Sequence, residues 1–303
     1  MRQILMIGIG GWLLAGATAF AEEGHTVTVG RLFTNDFLGD GQDRWHTGSY
    51  VVSAITATRP WPELPPKPGE LLEWRFRAEI IAPANTGRPG PTDRRYVGNL
   101  SVGVHTHYAR QNWQTSFGFD LVAIGPSTGL SDFQQAVHSI IGNHIDAAAN
   151  NQLTDSVHPT VLVETGRLFS LTEKSYVRPF FEAQAGVETF LRTGIDIAIG
   201  DGCAGGLRIR DVTTGHRYRT STCTDDRGAT LMIGADVAKV FDSAYLPSAD
   251  GYDTTDIRGR VRFGMEWSGE HGSVFYGLTY LGREFEGQPE GQLVGALNVK
   301  LAF

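Results

Sequence analysis

Apolar and polar residues alternate along much of this chain. In residues 71–81, Leu72, Trp74, Phe76, Ala78 and Ile80 share one face, while Glu73, Arg75, Arg77 and Glu79 share the other. Residues 260–268 repeat the pattern, with Val261, Phe263, Met265 and Trp267 opposite Arg260, Arg262, Glu266 and Ser268. So do residues 176–188, and the last stretch, where Leu293, Leu297, Val299, Leu301 and Phe303 oppose Gln292, Asn298 and Lys300. Period two sustained over about ten residues is a strand pattern. A soluble sandwich would turn the charged face to bulk water, whereas a membrane barrel turns it to the lumen and gives the apolar face to lipid. Segments of 9–11 residues suit the barrel.

The pattern predicts an all-β chain, a transmembrane antiparallel β-barrel of about 12 strands, at 24–33, 46–58, 70–81, 95–107, 113–124, 158–170, 175–187, 190–199, 229–241, 256–268, 271–283 and 291–303. An even number returns both termini to one side. The connections 34–45, 82–94, 125–157, 242–255 and 284–290 then share the opposite, outward end. The stretch 200–228 reads as a loop, an extended hairpin or part of longer strands.

The N-terminus adds the compartment. Met1-Arg2-Gln3, an apolar run from Ile4 to Leu14, and Ala19-Phe20-Ala21 form a secretory signal peptide over residues 1–21, leaving a barrel over 22–303. Glycine, 38 of 303 residues, fits a turn-rich β chain, and a net charge of −7 argues against a nucleic-acid partner. The two cysteines, Cys203 and Cys223, are expected to pair in an oxidising compartment, closing a loop worth about 3 kcal/mol.

Chemistry gathers in the outward connections. Asn35, Asp36, Asp40 and Asp43 lie between the first two strands, with Gly39 and Gly41 to bend the backbone; hard cations such as Ca²⁺ take oxygens of this kind. The long connection 125–157 holds a short helix, Ser131–Ile141, with Ser131 and Gln134 spaced as a capping box. Phe133, Val137, Ile140 and Ile141 form an apolar stripe suited to docking on the barrel wall, and Gln134 and His138 share the other face. An imidazole held there suits a general base at neutral pH. Arg94 and Arg95 open the fourth strand and, pointing to opposite faces, offer a guanidinium to phosphate. Thr47 and Ser53 are hydroxyl candidates for substrate binding on the second strand. The inward charges, from Glu73 to Glu266, read as a salt-bridged lumen filling.

Several of these segments together resemble one family. Asn35-Asp36, Asp43-Arg44 leading into Thr47-Gly48, Gln134 and Gln135 before His138, Asn151-Gln152-Leu153, and the ending from Gly277 to Gln292 are similar to the outer-membrane lipid A 3′-O-deacylases of the LpxR type. The resemblance implies a twelve-stranded, calcium-dependent, monomeric barrel in a Gram-negative outer membrane. It would hydrolyse the 3′-acyloxyacyl ester of lipid A, the lipid anchor of lipopolysaccharide. It further implies His138 as the base that activates water, Asp36 as a calcium ligand, Asn35 as an oxyanion or metal-shell partner, and Arg94 and Arg95 as lipid A contacts. A carboxylate is expected a few residues after the histidine, but no acid follows until Asp146, which leaves the partner of His138 open. Two other readings stand beside this one: a phospholipase-like Ser/His esterase using Ser131 or Ser139, and a non-catalytic barrel or pore.

Overall fold

Burial along the strands is inverted relative to a water-soluble protein. In the computed structural model, which describes residues 26–57, 63–141, 145–200, 207–220 and 227–301, Glu73, Arg75, Arg77 and Glu79 are buried while Trp74 is 54% and Val102 58% exposed. Charged residues face a narrow lumen and apolar residues face outward, the partition that lipid demands. Residues 1–21, read above as a signal peptide, and Cys203 and Cys223 lie outside the described residues.

Fifteen strands are described: β1 (Thr26–Asn35), β2 (Trp45–Ala57), β3 (Leu71–Ala82), β4 (Val97–Arg110), β5 (Trp113–Ile124), β6 (Ser156–Arg167), β7 (Phe169–Thr172), β8 (Ser175–Ala185), β9 (Glu188–Gly200), β10 (Arg208–Arg210), β11 (Arg217–Arg219), β12 (Gly228–Ser243), β13 (Ile257–Gly269), β14 (Gly272–Leu281) and β15 (Gln292–Leu301). Twelve of them form a closed antiparallel barrel. β15 pairs with β1 through Phe33–Leu297, and β6 pairs with β8, so no edge is left open. The short β7 extends the β8 hairpin at the end where the chain termini lie.

β10 and β11 answer the open question about 200–228: they form a hairpin inside the lumen. Leu207, Ile209 and Tyr218 pack with Leu32, Val51, Ile55 and Leu71 of the wall. Arginines of the hairpin meet wall carboxylates, Arg210 with Glu164 and Asp196 (both 2.7 Å) and Arg208 with Glu266 (3.0 Å). The hairpin tip reaches Glu79 through Thr213 Oγ1 at 2.8 Å. The wall charges pair as expected, Arg75 with Glu73 at 2.6 Å and Arg178 with Glu164 at 2.7 Å.

Opposite the termini, the β5–β6 connection carries two helices, α1 (Leu130–Ile141) and α2 (Asp146–Ala149). α1 lies against the outer face of β3 and β4. Its orientation corrects the expected docking: Ser131, Gln134 and His138 are buried, whereas Phe133 is 55% and Val137 40% exposed. Outside a membrane barrel the surroundings are apolar, so Phe133 and Val137 turn away from the wall and the polar face covers a polar rim. The capping box is also absent. The helix starts at Leu130 after Gly129 (φ +69°), and the Ser131 hydroxyl sits near the Gln152 amide at 3.4 Å.

Candidate active site between helix α1 and the barrel rim

The acidic loop after β1 is built to hold its shape. Asn35 ends β1 on the same face as the exposed Phe33, and its Oδ1 accepts from the Phe37 amide at 2.8 Å. Gly39 lets the loop backbone lie directly against Leu293, where a Cβ would collide with the Leu293 carbonyl, and Gly41 takes a left-handed φ of +75°. Asp40 accepts from the Leu293 amide (3.2 Å), and Arg44 bridges Asp40 (3.2 Å) and Glu290 (2.6 Å). Gln292 donates to the Arg44 carbonyl at 2.6 Å and accepts from the His46 amide at 3.1 Å. The C-terminal segment thus serves as a brace for the loop.

Asp36 is buried, and its Oδ2 accepts from the Arg44 amide at 3.0 Å. Burial raises its carboxyl to about 8, and the charges of Asp43 and Asp40 push the same way against the Arg44 and Phe37 amides. A carboxylate placed like this lacks a positive partner, and a divalent cation would supply one. Among the described residues no group of three or more His, Cys, Asp or Glu is arranged around a metal, so further ligands would have to be amide, backbone or water oxygens. Ca²⁺ accepts such a set.

His138 faces this loop. Its Nε2 lies 3.4 Å from Asp43 Oδ2, and Gln134 Nε2 reaches Asp43 Oδ1 at 3.3 Å. The carboxylate partner of the imidazole therefore comes from the acidic loop, about 95 residues upstream in sequence, not from the residues after the helix. Asp146 instead bonds Gln135 and ties α2 to α1. A proton on Nε2, which faces the carboxylate, would leave Nδ1 as the acceptor nitrogen. His138 Nδ1 is buried with no partner among the described residues. Asp36 and His138 consequently stand at one end of the barrel, and the charge of Asp43 is felt by both.

The remaining candidates divide. Arg94 is buried and pairs with Glu284 in the lumen mouth, where His46 also meets Glu284 (3.2 Å) and Glu79 (3.0 Å). Arg95, on the other face, reaches Asp250 at 3.0 Å and the Gln152 carbonyl at 2.7 Å, and is partly exposed. Thr47 is buried at a register break in β2, close to the site. Ser53 lies about 20 Å further along the strand. Its hydroxyl donates to Glu73 at 2.6 Å and sits 3.1 Å from the hairpin's Tyr218, which removes it from the rim. Neither serine of the Ser/His reading touches His138: Ser131 faces Gln152, and Ser139 donates to the Ala136 carbonyl at 2.8 Å. A small cavity opens in the lumen between His46, Glu79, Arg258 and Glu284, but none of Asn35, Asp36, Asp43 or His138 lines it. Sequence reasoning noted Asp43 as a metal candidate and missed its contact with His138, because only closure of the barrel brings residues 43 and 138 together.

A closed barrel with an apolar exterior, a plugged lumen and a helix-covered polar cleft on its outer rim has the form of an outer-membrane barrel. The family model described as "Outer membrane protein LpxR" matches residues 7–303, and the chain belongs to that family. Among solved structures it is similar to LpxR from Salmonella typhimurium, with a TM-score of 0.76 and 16% identity over 92% of this chain and 100% of that one. The β domain of the Bordetella autotransporter BrkA (TM-score 0.41, 12% identity, 93% and 100% covered) and the translocator domain of NalP from Neisseria meningitidis (0.39, 9%, 100% and 98%) are more distant. No curated protein matched the sequence.

Proposed function

We propose that this protein hydrolyses the 3′-acyloxyacyl ester of lipid A, with the α1 end of the barrel in the outer leaflet of the outer membrane. The observation that carries this reading is a buried imidazole, His138, with Asp43 beside one nitrogen and no partner among the described residues on the other, at the barrel rim. His138 Nδ1 takes a proton from water as the oxygen attacks the ester carbon, and Asp43 stabilises the imidazolium that results. Asp36 would hold a calcium ion with Asn35 in its shell, and that ion when bound polarises the ester carbonyl. Arg95, partly exposed on the outer face and paired with Asp250, would meet a lipid A phosphate; buried Arg94 pairs with Glu284 in the mouth. Exposed Phe37, Phe133 and Val137 surround the cleft with apolar surface against which acyl chains can lie.

Mass spectrometry of lipid A from cells expressing the wild type, His138→Ala and Asp43→Asn tests the reading. The wild type is expected to remove one acyloxyacyl mass in the presence of calcium. His138→Ala should remove none, and Asp43→Asn should act on the order of 10²- to 10⁴-fold more slowly. Identical spectra from all three would overturn the proposal.

A further inference from the structure

Besides Arg44 Nε and Arg95 Nε, five buried polar atoms around the cleft have no hydrogen-bond partner among the described residues. On the wall side they are Trp45 Nε1 and the Tyr96 hydroxyl; on the helix side, Gln134 Oε1, His138 Nδ1 and Gln152 Oε1. Native proteins leave few such groups, because a buried donor or acceptor without a partner loses its hydration and gains nothing in return. Three of the five are amide or imidazole atoms, and the other two are aromatic donors.

The two aromatic residues are placed with some effort. Trp45 has a φ of +50°, a conformation that a bulky residue adopts only when its surroundings impose it. The adjacent register break sends His46 to the lumen and Trp45 to the outer face, opposite Ala82. There Trp45 is 1% exposed, with the Arg44 guanidinium 4.3 Å from its ring centre. Tyr96 stands one step before β4, whose first residue pairs with Ile81, so it neighbours Ala82 from the other side. It is fully buried with Ala82, Ile145 and Ala148, and its backbone clamps 151–153 through Leu153 N to Tyr96 O at 2.9 Å. Ala82 thus stands between the two rings in register, with Tyr96 covered by Ile145 and Ala148. Burial pushes the Tyr96 phenol up, with Asp43 and Asp132 adding to the effect, so it stays protonated and able to donate.

We infer that Trp45 Nε1–H and Tyr96 O–H receive the carbonyl oxygen of the scissile ester, a pair of wall donors separate from whatever cation Asp36 holds. The inference rests on the deacylase reading above. As the water oxygen bonds to the carbonyl carbon, its proton passes to His138 Nδ1 and the C=O π pair moves onto the oxygen between the two donors. Collapse of the intermediate breaks the C–O bond to the sugar-side hydroxyl, which takes the proton back, leaving a carboxylic acid and an alcohol. An indole N–H and a phenol O–H strengthen as that oxygen becomes anionic, so their effect falls on the chemical step.

The test uses the full-length, calcium-loaded protein in lipid A micelles. Two variants are compared with it: Tyr96→Phe, and Trp45 with benzothiophene in place of indole, which keeps the ring against Arg44 and removes only the N–H. Each is expected to lower kcat about 10²- to 10³-fold with KM within about twofold, and to keep the wild-type shift between heated and unheated gel mobility. A lipid A analogue with a thiocarbonyl at the scissile ester, a poor acceptor, should slow the wild type and cost Tyr96→Phe little more. Tyr96→Phe at the wild-type kcat, a loss confined to KM, or an equal further loss on the thiocarbonyl analogue would each overturn the inference while the deacylase reading stands. An inactive wild type would sink both.

Discussion

Asp36 shows how a single side chain reports what its site lacks. Its carboxyl is raised to about 8 from 3.8, first by burial and then by neighbouring carboxylates. The protonated form is the one the fold favours, so this group's contribution to stability is complete below about pH 4 and is lost as pH rises through about 8. A cation that replaces the proton reverses that loss. Calorimetric titration with Ca²⁺ should therefore show an apparent affinity rising about tenfold per pH unit between roughly pH 5 and 8, with about one proton released, then levelling. Asp36→Asn should abolish the slope. An affinity that ignores pH over this range would remove Asp36 from the metal's ligands. His138 and Asp43 form the second residue-scale relation, an imidazole and a carboxylate brought together from separate connections of the barrel.

Helix α1 carries the lesson at the scale of the element. Its residue spacing was legible in sequence, and both its faces were identified, yet the rule that an apolar stripe packs inward gave the wrong side. That rule assumes water outside. Here Gln134 and His138 close over the rim while Phe133 and Val137 continue the exposed apolar wall. A spin label on a cysteine at position 133 is expected to relax faster with oxygen dissolved in the bilayer than with an aqueous nickel chelate. A label at Val137 should behave alike. Preferential relaxation by the nickel chelate at both sites would place this face in water and contradict the membrane contact. The acidic loop is a second element whose form depends on partners far along the chain, since Glu290, Gln292 and Leu293 fasten it.

For the whole molecule, the lumen is a folded interior made of charges. The β10–β11 hairpin threads arginines between wall carboxylates, and Arg210 alone serves Glu164, Asp196 and the Gly215 carbonyl. Removing one partner of such a network leaves buried charge uncompensated, so Arg210→Met is expected to destabilise the barrel by about 3–5 kcal/mol. The checking measurement is the denaturant midpoint of the refolded protein. Planar-bilayer recordings of the wild type should show no steady conductance, because the hairpin and its ion pairs occupy the bore. A large open-channel current would contradict a plugged lumen and revive the pore reading.

Alternation of charge with apolar residues determined the barrel, its twelve wall strands and the salt-bridged lumen, because a strand's two faces are read locally, two residues at a time. It located the Asn35–Asp43 loop, the α1 helix and His138 for the same reason. Contacts between distant residues were another matter. That Asp43 rather than a neighbour on the helix serves His138, that Ser53 lies under a hairpin, that Arg94 is spent on Glu284, and that Trp45 and Tyr96 flank the cleft were decided only when the sheet closed and the loops settled on its rim. Closure sets which ends meet, and the lipid outside sets which face of a helix turns in; neither is written in any single stretch of residues.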